Sequence, residues 1–90
     1  MSNHKSADKR MRQNEKRRAR NRREKSKLKT SVRIVRDSIA GGDVAAASTS
    51  LPQAVSQIAK AASKGVIKKR TAARKMSRLA KAVNRAKAEA

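Results

Sequence analysis

The sequence has no aromatic residue and no cysteine, and it has one proline and three glycines among its 90 residues. Without cysteine the chain can form neither a disulfide nor a thiolate-ligated metal cluster. Without Phe, Tyr or Trp it offers no ring on which unpaired bases could stack, which argues against the common single-strand readers. A chain of this length forms at most one small domain.

Long apolar runs are also missing. No stretch of the sequence approaches the roughly 18 consecutive apolar residues that a membrane span needs. The N-terminal charges are not followed by the apolar stretch of a secretory signal. Both observations exclude the usual membrane and secretion signals from the chain as given.

Groups that could carry catalysis are absent too. The sequence has no Gly-rich phosphate loop, no nucleophile elbow and no cluster with metal-ligand spacing. We therefore expect no enzyme activity, no metal and no cofactor. The single histidine, His4, is expected at the surface. Four acidic residues are expected to serve as surface pairs or charge spacers: Asp8, Glu15, Glu24 and Asp37.

What the chain has in excess is positive charge, with 26 Lys and Arg against 6 Asp and Glu and a net charge of +20. This charge is divided unevenly, with +10 in residues 1–30, +1 in residues 31–63 and +9 in residues 64–90. A basic balance of this size is typical of proteins that bind a polyanion, most often a nucleic acid.

The large aliphatic residues follow the opposite distribution. Between Ser2 and Lys27 the only one is Met11, so this part of the chain has no core of its own. Within a single domain over residues 1–90 we predict a basic arm over residues 1–27, called the arm below, and a bundle core over residues 28–87.

The three glycines divide the chain into three segments, each with the spacing of an amphipathic helix. We predict a first helix from about residue 6 to 40, with Ser6 as N-cap, Asp8 in the first turn and Gly41-Gly42 at its end. Its N-terminal half would project as a basic rod, or as a disordered arm that folds on its partner. Its apolar face comprises Leu28, Val32, Val35 and Ile39.

A second helix is predicted from its N-cap Asp43 to Lys64-Gly65. Pro52 removes one backbone donor and crowds the preceding turn. Either the helix bends there, or it restarts with Ser50 as N-cap and Gln53 closing a capping box. We favour one bent helix, because the apolar stripe continues without a change of phase. That stripe comprises Val44, Ala47, Leu51, Val55, Ile58 and Ala62.

A third helix is predicted from about Lys68 to Lys87, after a short Val66-Ile67 link that packs into the core. Its buried face comprises Ala72, Met76, Leu79, Val83 and Ala86, and a separate cationic stripe comprises Arg74, Arg78, Lys81 and Arg85. One face can pack while the other meets phosphates. The predicted fold class is all-α, a three-helix bundle with a long, protruding basic first helix.

The densest charge lies in the segment Lys16–Arg23, which places cations on every side of a helix. A rod surrounded by phosphates has this pattern, whereas a helix beside a protein partner rarely does. Arg offers phosphate a planar fork and Lys a mobile point charge. A disordered basic tail is the alternative, and it also predicts nucleic-acid binding.

Several short motifs occur in a distinctive order. The chain opens with Asn3, Lys5-Ser6-Ala7 and Lys9-Arg10, and continues with Arg17-Arg18, Arg20-Asn21, Lys25-Ser26, Lys29-Thr30 and Gly42-Asp43. After an Ala-rich segment come Lys64-Gly65-Val66-Ile67, Lys69, Ala72-Ala73-Arg74-Lys75 and Ser77-Arg78-Leu79. In this order and spacing, over essentially the whole chain, they resemble the bacterial-type small-subunit ribosomal protein twenty family.

The resemblance implies a three-helix bundle with an extended first helix. It implies binding to 16S ribosomal RNA of the small subunit, in the 5′ domain and at the long helix near the 3′ end, and stabilisation of the RNA fold by phosphate neutralisation. It also implies a cytoplasmic, ribosome-associated protein of a bacterial or plastid-type ribosome. By position, RNA contacts are inherited by Lys5, Ser6, Lys9, Arg10, Arg17, Arg18, Arg20, Asn21, Lys64, Lys69, Arg74, Lys75, Ser77 and Arg78. The charge pattern adds Arg12, Lys16, Arg22, Arg23, Lys25, Lys27, Lys29, Lys68, Arg70, Lys81 and Arg85.

The chain departs from the family pattern at three positions. Ala59 stands where the family often has Asp, and Lys68 and Arg70 stand where it often has His and Asn. The missing Asn removes an N-cap from the third helix, and we expect Thr71 to replace it.

Other classes of basic protein fit less well. A DNA-binding or nucleoid-compacting protein is the remaining alternative, although compaction tails usually carry repeats and proline. A basic leucine zipper would need heptad leucines after residue 23, but Gly41-Gly42 ends the helix too early. A membrane-active cationic helix would need an amphipathic face in residues 2–27, where there is none.

Overall fold

The computed structural model describes the backbone of residues 2–90 and the side chains of residues 5–90. Over this part of the chain it contains three α-helices and no strand: α1 over Ser2–Ala40, α2 over Val44–Ser63 and α3 over Lys69–Glu89. The predicted all-α, three-helix class with a long first helix is thereby confirmed. The predicted surface position of His4 concerns a side chain outside the described residues.

Helix α1 begins earlier than the sequence predicts. It already includes Ser2, so Ser6 lies inside the helix and the prediction that it caps α1 is wrong, as is the first-turn position of Asp8. The physical reason is that residues 2–5 contain neither glycine nor proline, so nothing stops the helix at Ser6. With 39 residues, α1 is about 58 Å long at 1.5 Å per residue.

The turn between α1 and α2 consists of three residues, in which α1 ends and α2 is capped. The amide of Gly42 donates to the carbonyl of Ile39 at 3.1 Å, and the amide of Asp43 donates to the carbonyl of Ser38 at 2.9 Å. This pair of bonds is a Schellman motif, with Gly42 in the left-handed region at φ +77°. The predicted N-cap is confirmed, since Oδ1 of Asp43 accepts from the amide of Ala46 at 3.0 Å.

Helix α2 runs through Pro52 without a break. The Ser50 hydroxyl donates back to the Ala46 carbonyl at 2.8 Å rather than capping a new helix. The restart at Ser50 is therefore excluded. The buried side of α2 is rotated from the predicted stripe, because Ala54 and Ala61 are fully buried while Val55 and Ala62 are half-buried. Small alanines at the contact allow a close approach between helices.

A second Schellman motif ends α2. The amide of Gly65 donates to the Ala62 carbonyl at 3.1 Å, the amide of Val66 donates to the Ala61 carbonyl at 2.9 Å, and Gly65 has φ +76°. Val66 and Ile67 are half-buried against the core, as predicted. Helix α3 then starts at Lys69 without a side-chain cap. Thr71 lies within the helix, so its predicted role as a replacement cap is wrong.

The core lies where the three helices meet. Helix α2 packs against both α1 and α3, and the contact between α1 and α3 is the smallest of the three. The buried apolar residues are Leu28, Val35, Ala47, Ala54, Ile58, Ala61, Ala72, Leu79 and Val83. Because all large members are aliphatic and four are alanine, the bundle is thin, and the molecule measures 68 × 22 × 14 Å.

Candidate nucleic-acid interface

The N-terminal half of α1 is solvent-exposed over residues 5–20, every one of which has an exposed side chain. We call residues 5–20 the exposed segment. At 100° per residue, six cations of α1 lie within an arc of about 80°. They form a first ridge, spaced by three and four residues: Lys5, Lys9, Arg12, Lys16, Arg20 and Arg23. Three cations outside this ridge, Arg10, Arg17 and Arg18, place charge on the other sides of the exposed segment.

A second cationic ridge continues from the exposed segment onto the bundle. The same spacing of three and four residues relates its members, which are Arg18, Arg22, Lys25, Lys29, Arg33 and Arg36. The last three border a groove between α1 and α3, which is also lined by Lys75 of α3, by Leu28 and Val32, and by one acidic residue, Asp37. Sequence reasoning missed Arg33 and Arg36, because they were counted in the nearly neutral middle segment. Their spacing relative to Lys29 was the available signal.

The remaining candidate residues lie at the α2–α3 turn and on α3. Lys68, Lys69 and Arg70 are exposed where α3 begins. The predicted α3 stripe is exposed along its whole length, on the side opposite the buried face of that helix: Arg74, Arg78, Lys81 and Arg85. Ser77 and Lys27 are exposed as well, and Asn21 is half-buried. Two cationic surfaces, one on α1 and one on α3, are thus held by a single bundle.

One acidic residue behaves differently from its prediction. Glu24 lies in the basic part of α1, yet its side chain is only 7% exposed, so its predicted role as a surface charge spacer is wrong. Its Oε1 accepts from Nζ of Lys64 at 2.9 Å, and its Oε2 accepts from Nε2 of Gln57 at 3.1 Å. Extending the apolar positions 28, 32, 35 and 39 back by one turn reaches Glu24. That spacing could have shown that it faces the bundle.

The electrostatics of Glu24 favour the carboxylate. The pKa of Glu24 is below its ordinary value, chiefly because Nζ of Lys64 donates a hydrogen bond to it. Partial burial acts in the opposite direction and raises the pKa, while the charges of Lys64 and Lys27 and the bond from Gln57 lower it further. Among the described side chains, this is the only ion pair. The other cations of both surfaces therefore keep their charge available for an external anion.

The described residues contain no group of three or more His, Cys, Asp and Glu that could hold a metal ion. Over the same residues, no helix is long and apolar enough to cross a bilayer.

The fold and its surface define a small, elongated, all-helical protein with two cationic surfaces suited to a polyanion. The chain belongs to the ribosomal protein S20 family, since the family model described as "Ribosomal protein S20" matches residues 2–84. The resemblance noted in the sequence is thereby confirmed. This is a family of ribosomal proteins and not of enzymes.

Similar proteins from bacteria cover nearly the whole chain. The small ribosomal subunit protein bS20 of Trichlorobacter lovleyi is 52% identical over 84 residues, which are 93% of this chain and 97% of that protein. The bS20 of Solidesulfovibrio magneticus is 52% identical over 87 residues, 97% of this chain and 98% of that protein. The bS20 of Helicobacter pylori is 51% identical over 79 residues, 88% and 89% of the two chains.

Proposed function

We propose that this chain is a constituent of the small ribosomal subunit that binds 16S ribosomal RNA directly and stabilises its fold by neutralising converging phosphates. The proposal extends to the RNA regions that the family resemblance implies, the 5′ domain and the long helix near the 3′ end. Family membership and the bS20 relatives support the assignment to the small ribosomal subunit. The residues proposed to make contacts are the RNA-contact residues predicted in the sequence analysis, together with Arg33 and Arg36.

One observation carries the proposal, namely that the cations form ridges on a helical, elongated body instead of a structureless tail. A helix about 58 Å long can reach several RNA backbones that lie side by side. Phosphate contacts give affinity and position but little sequence information. Selectivity therefore comes from shape, because only a folded RNA places its phosphates opposite both α1 and α3 at once.

The test compares three nucleic acids of equal length across a salt series: the 5′ domain of 16S RNA, an unrelated structured RNA and duplex DNA. We expect the logarithm of the binding constant to fall with the logarithm of the salt concentration, by about 0.7–0.9 per neutralised phosphate. The ribosomal RNA should remain the tightest ligand at moderate salt. Equal affinities for all three would contradict the proposal and favour a general nucleic-acid-compacting protein.

Two variants with the same charge change locate the interface. Arg20→Gln removes a cation from the first ridge, whereas Lys60→Gln removes an exposed cation near the end of α2, outside both surfaces. The Arg20 variant should lower the salt slope by about one phosphate, and the Lys60 variant should leave it unchanged. Equal slopes for the two variants would show that RNA binding depends on the total charge and not on where the charge lies.

A further inference from the structure

Glu24 is an acidic residue in the midst of a cationic segment, with Arg22, Arg23, Lys25 and Lys27 as its neighbours in sequence. A polyanion-binding surface gains nothing from a negative charge at this point. A largely buried carboxylate is also costly unless it is paired and hydrogen-bonded. Both of its oxygens do have partners, which indicates that Glu24 serves an internal contact and not the surface.

That contact joins α1, just after the exposed segment ends, to the C-terminal half of α2. Gln57 lies in the second half of α2, and Lys64 is the C-cap of that helix, directly before the left-handed Gly65. The two hydrogen bonds span 33 and 40 residues of sequence, and they are the only long-range side-chain hydrogen bonds among the described residues. One carboxylate therefore links α1 both to α2 and to the turn that leads into α3.

This contact lies where the exposed segment joins the bundle. Every residue from 5 to 20 is exposed, and burial along α1 begins at Asn21 and Glu24. On the other side of the contact, Lys68, Lys69 and Arg70 follow Lys64 within six residues. A small change of angle at Glu24 is magnified along the exposed segment, which is about 24 Å long at 1.5 Å per residue.

We propose that Glu24 is a positioning residue for RNA binding: through Lys64 and Gln57 it fixes the exposed segment of α1 relative to the α2–α3 turn, so that both cationic surfaces match one folded RNA. The inference rests on the proposed function. It assigns Lys64 a second role besides phosphate binding, since this side chain is 45% exposed while its ammonium is engaged by Glu24.

The experiment uses two variants of the full chain that each remove one negative charge. Glu15→Gln is the control, because Glu15 is exposed and forms no ion pair among the described side chains. Removing a negative charge alone strengthens binding to any polyanion. Glu15→Gln should therefore raise the affinities for the 16S 5′ domain and for duplex DNA by similar factors. For this control, the ratio of the affinity for the 16S 5′ domain to the affinity for duplex DNA should equal that of the wild type.

Glu24→Gln should change the affinities for the 16S 5′ domain and for duplex DNA in opposite directions. It removes the negative charge that pairs with the Lys64 ammonium and increases the net positive charge, so binding to duplex DNA should strengthen as it does in the control. Binding to the ribosomal RNA should weaken, and the ratio should fall on the order of tenfold, as expected for groups coupled by direct contact. Far-UV circular dichroism and a melt above the assay temperature establish that the variant is folded.

The outcomes separate the two proposals. An unchanged ratio in folded Glu24→Gln overturns the positioning role and leaves the proposed function intact. A wild-type chain without preference for the ribosomal RNA overturns the proposed function itself. Should Glu24→Gln be unfolded at the assay temperature, Gln57→Ala is measured instead, because it keeps both the net charge and the Lys64 pair. A lower ratio in Gln57→Ala supports the proposal, and a wild-type ratio overturns it.

Discussion

At the scale of single residues, Glu24 shows that the neighbours of a residue in sequence and its face on a helix can point to different environments. Its place in the sequence, among five cations from Arg22 to Lys29, is typical of a solvent-exposed charge. Its place on the helix is the next turn of the apolar face. The second property prevails because the carboxylate finds two donors, Gln57 in α2 and Lys64 at the end of that helix.

The depressed pKa of Glu24 predicts a pH dependence of stability. A carboxyl group whose pKa is lowered in the fold binds fewer protons when folded, so its stabilisation is present above its ordinary pKa of 4.5 and is lost as the pH falls further. We expect the wild type to melt at a higher temperature than Glu24→Gln at pH 7, and the difference to shrink as the pH is lowered below 4.5. A difference that does not change with pH would contradict the ion pair. Glu15→Gln serves as the control.

At the scale of elements, the ends of the helices are fixed by backbone bonds that glycine alone makes at no steric cost. Gly42 and Gly65 both have positive φ and both complete Schellman motifs. The second motif also brings Val66 beside Ala61, the hydrophobic contact that commonly accompanies this type of helix end. These two residues turn the chain twice, which is why three helices can share one small core.

Replacing Gly42 by alanine tests whether the left-handed glycine stabilises the turn between α1 and α2. The left-handed conformation costs a residue with a Cβ about 1–2 kcal/mol, and for a domain of this size each kcal/mol lowers Tm by roughly 4–8 °C. We therefore expect Gly42→Ala to melt about 4–16 °C below the wild type. Gly41→Ala is the matched control, because Gly41 does not have positive φ, although its Cβ would lie 3.3 Å from the Asp37 carbonyl. Equal losses for the two variants would show that the left-handed backbone is not the cause.

Helix α2 shows how a proline leaves two interpretations of one segment open. Proline normally ends a helix or bends it, and Ser50 with Gln53 resembles a capping box. The structure keeps one helix, because Leu51, Ala54 and Ile58 pack on both sides of Pro52. Tertiary packing outweighs the missing backbone donor, and the apolar stripe that continues past Pro52 was the signal in the sequence that favoured this outcome.

At the scale of the whole molecule, the charge is carried by parts that contribute little to the core. The exposed segment has a net charge of +6, and its only large aliphatic, Met11, is 62% exposed. Because the charges repel one another, they are best tolerated at the ends of an elongated body. The predicted division into an arm over residues 1–27 and a core over residues 28–87 follows this reasoning. The burial of Glu24 leads us to propose a boundary nearer residue 20.

Two truncations distinguish these boundaries. Removal of residues 2–20 leaves the Glu24 contact in place, so we expect a cooperative melt near that of the full chain and a large loss of RNA affinity. Removal of residues 2–27 also deletes Glu24, and it should melt at a lower temperature. Circular dichroism and RNA titration provide the measurements. If both truncations melt alike, the boundary at residue 27 is the better description; if the shorter truncation abolishes the cooperative melt, the bundle depends on the exposed segment.

The sequence by itself determined the number of helices, their two turns, most of the core and the location of positive charge. These follow from local chemistry: glycine permits positive φ, Asp43 caps the helix that follows it, and apolar residues repeat every three to four positions. Only the tertiary structure decided that Ala54 and Ala61 belong to the buried side of α2, that Arg33, Arg36 and Lys75 line one groove between α1 and α3, and that Glu24 pairs with Lys64. Each of these depends on residues that are distant in sequence, and their free energy arises only when the helices pack.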